Sequence, residues 1–356
     1  MSYHDEQKRQ QILKVRQLQK ELPKFVGEFF RDRADYISDH TRLAYAYDLK
    51  LFFGFLVFES VDFAAEDITG FTVDDLKRVN AGHILEFMEY LSYYIRRETG
   101  KGGKVVEYHV QNDARGKGRK LSAIRALLSY CFSKDYIPSN PSELVATPPT
   151  KEKAKTYLDV HEVANLLDIV ESGEKLTPQQ QHYHAYTKSR DLALLTLFAG
   201  TGVRISEAVG LNINDINLED ESFRVIRKGG DEAILFFGLE VKAALMDYIA
   251  HRKGIIPKQG HEAALFLSMQ RRRITTRAVQ ILVKKYAEQL NTLKTITPHK
   301  LRTTFGTNMY RQTGDIYLVA DLLGHKDVNT TRKSYADDKD EAGRRAVRHY
   351  KLREDD

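Results

Sequence analysis

A single cysteine, Cys131, stands among 356 residues. That count excludes a disulfide framework within one chain and any metal site built from several cysteines. Cys131 sits in an apolar helical stretch with Leu127, Leu128, Tyr130 and Phe132, so a buried structural thiol is expected. Long apolar runs are missing as well. None approaches the roughly 20 residues that a membrane-spanning helix needs. The first residues, Met1-Ser2-Tyr3-His4-Asp5-Glu6, are polar and hold no signal-peptide core. The expectation is a soluble cytoplasmic protein with no membrane partner.

What is present is ample apolar material and a modest excess of base. Hydrophobic residues make up 42% of the chain, enough for real cores, and the length suits two domains of ordinary size. The 55 Lys and Arg outnumber the 49 Asp and Glu, and the net charge of +6 allows a polyanionic partner.

Residues 1–21 read as a charged lead-in with weak helical spacing. Two helices follow within 22–58, the second capped by Ser38, with apolar groups recurring at three and four residues. On the second, Arg42 and Tyr45 are candidate DNA contacts. An amphipathic helix is expected over 79–94. The Gly-, Lys- and Arg-rich residues 96–120 read as a flexible basic connection, in which Lys117, Arg119 and Lys120 are candidate contacts to a nucleic-acid backbone. A further helix covers 121–134. Residues 22–146 thus read as an all-α domain, and Thr147-Pro148-Pro149 opens a linker over 147–158.

The second domain is assigned to 159–340. Residues 171–187 read as an exposed loop or helix end, with His182 and His184 solvated. A strongly apolar helix over 189–199 ends at Gly200-Thr201-Gly202. Arg204 follows that turn, and Glu207, three residues on, is placed to hold its guanidinium. Alternation over 222–227 and 233–237, around Lys228-Gly229-Gly230-Asp231, predicts a β-hairpin with Lys228 at its tip. Residues 264–268 suit a short strand. Arg271, Arg272 and Arg273, then Arg277 at a helix start, are candidate phosphate contacts. Residues 341–356 read as a basic helix and tail.

The densest chemistry lies in 297–335. Pro298 suits the first turn of a helix, with Thr297 as its cap. His299 and Arg302 then share one face. Gly324 reads as the stop of the following helical run, and it sets His325 at that helix's end. Tyr335 lies on a further helix. The stretch has neither a glycine-rich phosphate loop nor a carboxylate–histidine ligand cluster, so no metal and no cofactor are expected. One His among 12, or one Tyr among 19, is ordinarily structural. The combination is what points to chemistry: Arg and His donors suit phosphodiester oxygens, and a phenol suits covalent attack on phosphorus.

Taken together, Arg204, Lys228, His299, Arg302, His325 and Tyr335 resemble the catalytic set of the tyrosine recombinases. The resemblance rests on Thr201-Gly202-Val203-Arg204-Ile205-Ser206-Glu207, Pro298-His299-Lys300-Leu301-Arg302 and Leu323-Gly324-His325. The N-terminal helices, with Thr41, Tyr45, Asp48, Leu49 and Phe52, look like that family's core-binding domain. Within the family the chain is most similar to the Xer recombinases that resolve chromosome dimers, and among these to the type that works without a second recombinase. Tyr335 lies one residue further past His325 than in the commonest Xer spacing, a spacing shared by phage-type members.

The resemblance implies a mainly α fold with a small β-hairpin sheet in the C-terminal domain, the two domains clamping DNA. It implies a Tyr335 nucleophile, strand exchange through a 3′-phosphotyrosyl link and a Holliday junction, a tetramer on double-stranded DNA, and a cell-division DNA translocase as partner. Phage or transposon integrase, type IB topoisomerase and a non-catalytic DNA-binding protein are the other readings.

Overall fold

The computed structural model describes residues 3–63, 67–100, 103–151, 156–227 and 230–324. Lys228, His325, Tyr335 and the tail expected over 341–356 lie outside the described residues. The chain divides into two compact units, Met1–Lys153 and Ala154–Asp356.

The first unit is built on phenylalanine. Helices α1 (Tyr3–Gln19), α2 (Lys24–Asp32) and α3 (Asp39–Phe58) open it, and Ser38 caps α3 by accepting from the Thr41 N–H. The lead-in is therefore a full helix, and it packs on α3. Short helices α4 (Val73–Arg78) and α5 (Ala81–Tyr90) follow, each with a capping box. Phe29, Phe30, Phe52, Phe53 and Phe87 are all but fully buried. Phe52 meets Phe87 nearly edge-on at 5.1 Å, the geometry that aromatic quadrupoles favour.

Over its described residues the connection expected to be flexible forms a ribbon and the start of a helix. Strands β1 (Tyr94–Thr99) and β2 (Val105–Val110) pair antiparallel, with Ile95 opposite His109 and Arg97 opposite Glu107. Val105, Val106, Tyr108 and Val110 favour extended backbone. Arg97 Nε donates to Glu107 Oε1 across the ribbon at 2.8 Å, and Gly103, at φ +77°, supplies the left-handed residue at its tip. Apart from Tyr94 and the half-buried Val110, every described strand residue is exposed. The all-α expectation for 22–146 is corrected to that extent. Helix α6 (Ala114–Ser133), capped by Asp113, begins earlier than expected and returns the chain to the core. Cys131 lies on its buried face.

In the second unit, α8 (Pro178–Thr201) is the axis. Helix α7 (Val160–Ser172) packs on it, as do α10 (Leu239–Lys253) and α12 (Pro298–Thr313). Thr177 caps α8 with a capping box and Pro178 at its first turn, so of the two readings of 171–187, loop or helix end, residues 178–187 are helix. His184 is buried rather than solvated: its Nε2 donates to the Val170 carbonyl at 2.7 Å. Asp191, fully buried, accepts from Thr187, Arg190, Lys285 and Tyr286, which ties α8 to α11 (Thr276–Ala287).

Short α9 (Ile205–Gly210) leads into a three-stranded antiparallel sheet of β3 (Ile216–Asn217), β4 (Ser222–Ile226) and β5 (Glu232–Phe236). The predicted hairpin is β4–β5, with Phe223 opposite Leu235. Residues 264–268 make only isolated bridges, Asn212 with Ala264 and Leu267 with Arg273. Helix α13 (Ile316–Leu323) closes the described chain. Among the described residues no helix is long and apolar enough to cross a membrane.

Burial pushes the Cys131 thiol up to about 12, with Glu28 adding to the shift. The thiolate is the reactive form. Cys131 should therefore stay unmodified by a thiol reagent in the folded protein at pH 8 and react fully in denaturant. Fast modification of the native protein would contradict this burial.

Candidate active site

Three stretches of the second unit meet at one corner. Helix α8 ends at Gly202, whose φ of +62° is the left-handed conformation a helix stop uses. A Cβ there would stand 2.6 Å from the Phe305 ring of α12 and 2.8 Å from Leu323 of α13. Only glycine lets the three helices approach so closely. The chain then passes through Arg204 into α9.

Glu207 fixes Arg204. Its carboxylate is buried and accepts from the Arg204 backbone N–H at 3.0 Å and from Arg204 Nη1 at 2.9 Å. The arginine side chain is about two-fifths exposed (39%), so its guanidinium is anchored from below and open on one side.

Helix α12 begins as its sequence predicts, with Thr297 accepting from Lys300 N–H and Pro298 in the first turn. One turn on, Arg302 is only 5% exposed. Its Nη1 donates to the Gly202 carbonyl and its Nη2 to the Leu323 carbonyl, both at 2.6 Å. A single guanidinium thus bonds the turn before Arg204 to the residue two before His325. Planar, forked donors suit this double attachment; a lysine ammonium does not. Gly324, at φ +63°, ends α13 as expected.

His299 sits on the same helix, three residues before Arg302. Its side chain opens to solvent, yet enough protein crowds it that lost hydration holds its pKa below the ordinary imidazole range. The positive charges of Arg302, Lys300 and Arg204 add to that depression. Both arginines therefore lie within electrostatic reach of His299. Arg204, Glu207, His299 and Arg302 are brought together, with Glu207 in direct contact with Arg204.

Other candidate residues have internal partners. Arg119 is paired with the buried Asp48, with Nη2 at 2.8 Å from Oδ1. Lys120 is buried and donates to Asn112 at 2.7 Å, and Lys117 donates to Ser92 at 2.7 Å. Arg273 donates to the Val209 and Leu211 carbonyls and to Asn212, bracing the loop after α9. Arg42 pairs with Asp39, and Tyr45 is half-buried. Arg271, Arg272 and Arg277 are exposed.

Sequence reading missed two features of the corner. Gly202 was read as a turn, but its close approach to Phe305 and Leu323 was not foreseen. Nothing in the sequence marks Arg227, next to Lys228, yet a Cβ at Gly324 would fall on its guanidinium.

Because lost hydration and three cations all disfavour the charged imidazole, His299 should titrate below about 6.5 in an NMR pH series. Lys300→Ala removes one of those cations and should raise the midpoint. A midpoint at or above the ordinary value would contradict the arrangement.

Comparison with known proteins places the chain in a family. A sequence profile of the phage integrase family matches residues 156–342. The tyrosine recombinase XerC of Pelobacter propionicus is 31% identical over 300 residues, 83% of this chain and 84% of that protein. The fold is similar to that of the XerH site-specific recombinase bound to its difH substrate, at a TM-score of 0.59 and 20% identity over 88% of this chain and 81% of that one. It is similar also to the Tn1549 transposon integrase in complex with circular-intermediate DNA, at a TM-score of 0.62 and 19% identity over 91% and 98%. With its profile match over more than half the chain and a relative at this identity over 84% of that protein's length, the chain belongs to the phage integrase family and is a tyrosine recombinase.

Proposed function

We propose that this recombinase cuts and rejoins double-stranded DNA through a 3′-phosphotyrosyl intermediate and a Holliday junction, and that its task is to resolve chromosome dimers at a dif-type site during cell division. The observation that carries the reading is Arg302, which joins the Gly202 turn beside Arg204 to the Leu323 carbonyl beside His325.

In the cutting step the Tyr335 phenol attacks phosphorus, a Tyr335 Oη–P bond forms and the P–O5′ bond breaks. The phenol's ordinary pKa is about 10, so it needs a base. His299, held in its neutral form, accepts the proton. Lys228 gives a proton to the departing O5′. Arg204 and Arg302 balance the charge on the non-bridging oxygens, and His325 hydrogen-bonds the phosphate. The bond energy stays in the phosphotyrosine, and the cations are part of the chain, so neither ATP nor a metal is needed. Rejoining reverses the step with another strand's 5′-hydroxyl.

Four copies acting on two sites, and a DNA translocase of the division machinery as partner, complete the reading. Arg42, Tyr45, Lys117, Arg271, Arg272 and Arg277 are its surface contacts to DNA. Lys120 and Arg273 act from within by holding the elements that bear them, and the exposed Arg119 is a surface contact that also ties α6 to the buried Asp48. The single-protein Xer type called XerS is the subgroup it fits. The longer spacing from His325 to Tyr335 favours a second reading, integrase of a phage or transposon, with the same chemistry on other sites.

A nicked suicide duplex carrying a dif-type site, without divalent metal, tests the chemistry. Wild-type protein should stay attached to DNA on a denaturing gel, and Tyr335→Phe should not. Arg204→Ala should slow attachment by about 10³–10⁵, the worth of such an arginine in phosphoryl transfer. Attachment that survives in Tyr335→Phe would move the nucleophile elsewhere. Recombinants between two dif-type sites, against products only at an element's own ends, separate the two biological roles.

A further inference from the structure

Arg227 follows Ile226, the last residue of β4, and opens the turn to β5. Its backbone N–H donates to the Asp231 carbonyl at 2.8 Å, and its carbonyl accepts from Gly230 N–H at 3.1 Å, so the residue itself closes the turn. Its side chain is half-buried. The guanidinium lies on Gly324, so closely that a Cβ there would overlap it. Its Nε is buried and has no hydrogen-bond partner among the described residues. A buried donor left unpaired costs stability, and a purely apolar side chain would cover the glycine without that cost.

The end of α13 is therefore gripped twice. Arg302 holds it through the Leu323 carbonyl, and Arg227 sits on the next residue, Gly324. The neighbours on either side of this contact are the two residues assigned to the phosphate. Lys228 follows Arg227 and His325 follows Gly324, each one Cα–Cα step of about 3.8 Å along the chain.

We propose that Arg227 is a positioning residue for strand cutting: seated on Gly324, it locks the β4–β5 turn against the end of α13, so that Lys228 delivers its proton at the phosphate that His325 contacts. This rests on the reading of Lys228 as the acid for O5′. Arg227 touches no reacting atom in this account. It acts through where it holds the next residue.

The leaving group provides a readout that a merely structural role would not move. With oxygen at the 5′ bridge, the P–O5′ bond breaks as a proton reaches O5′. With sulfur there, the P–S bond breaks to a thiolate that needs no proton, so a misplaced acid costs nothing. Single-turnover cleavage of two suicide duplexes, one with bridging oxygen and one with bridging sulfur, gives a sulfur-to-oxygen rate ratio in which the active fraction of each preparation cancels. Arg227→Ala and Arg227→Met should cut the oxygen substrate about 10- to 100-fold more slowly, part of the about 10²–10⁴ that a general acid supplies. Both should cut the sulfur substrate at the wild-type rate, so the ratio rises as it does in Lys228→Ala. If Lys228→Ala raises the ratio and the Arg227 variants do not, the proposal for Arg227 is overturned, whether their rates are unchanged or fall equally on both substrates. If Lys228→Ala leaves the ratio at its wild-type value, the acid assignment fails and this proposal falls with it.

Discussion

Arg302 is a buried cation whose two Nη atoms each end on a backbone carbonyl, one at Gly202 and one at Leu323. Carbonyls at helix C-termini have no partner within their own helix and carry partial negative charge. Two such ends, those of α8 and α13, converge on one guanidinium. The attraction satisfies three demands at once: it neutralises a buried charge, pairs two orphan acceptors and fixes the angle between the helices. Gly202 makes the convergence possible, because any side chain there would strike Phe305 and Leu323. The rest of the corner depends on this joint. Arg204 leaves it along α9, His299 stands one turn before it on α12, and Gly324 follows it at the end of α13.

The same joint sets the electrostatics. Among the described residues Glu207 is the one carboxylate that bonds Arg204, and it is spent on the N-terminal turn of α9 as well. Lost hydration, and then the positive charge left partly uncompensated around His299, hold the imidazole pKa below its ordinary range. A cluster of like charges costs folding energy, and on the proposed reading a phosphodiester bound at the corner would offset that cost.

Much of this was legible in the sequence because it is local. Caps such as Ser38 and Thr297, and the stop at Gly324, need only their neighbours within a turn, and each appears where its residue type predicts. The β4–β5 hairpin follows from alternation. The remainder needed distant partners. His184 looked solvated because its acceptor, Val170, lies on another helix. Lys120 looked like a surface cation because nothing nearby in sequence announces its burial. The β1–β2 ribbon was hidden by the glycines and lysines of its tip, which read as loop and outweighed two short runs of β-favouring residues. Arg227 is the extreme case, since its contact, Gly324, is contributed by the far end of the unit.

Amide hydrogen exchange on the free protein tests the joint most directly. Gly202 N–H and Gly324 N–H each close a helix end, on Phe198 and on the last turn of α13. In Arg302→Lys both should lose protection together, by about 100-fold, since hydrogen bonds from a charged donor are worth about 2–3 kcal/mol. Loss at only one of the two glycines, or at neither, would contradict the claim that a single guanidinium holds the two helix ends as one site.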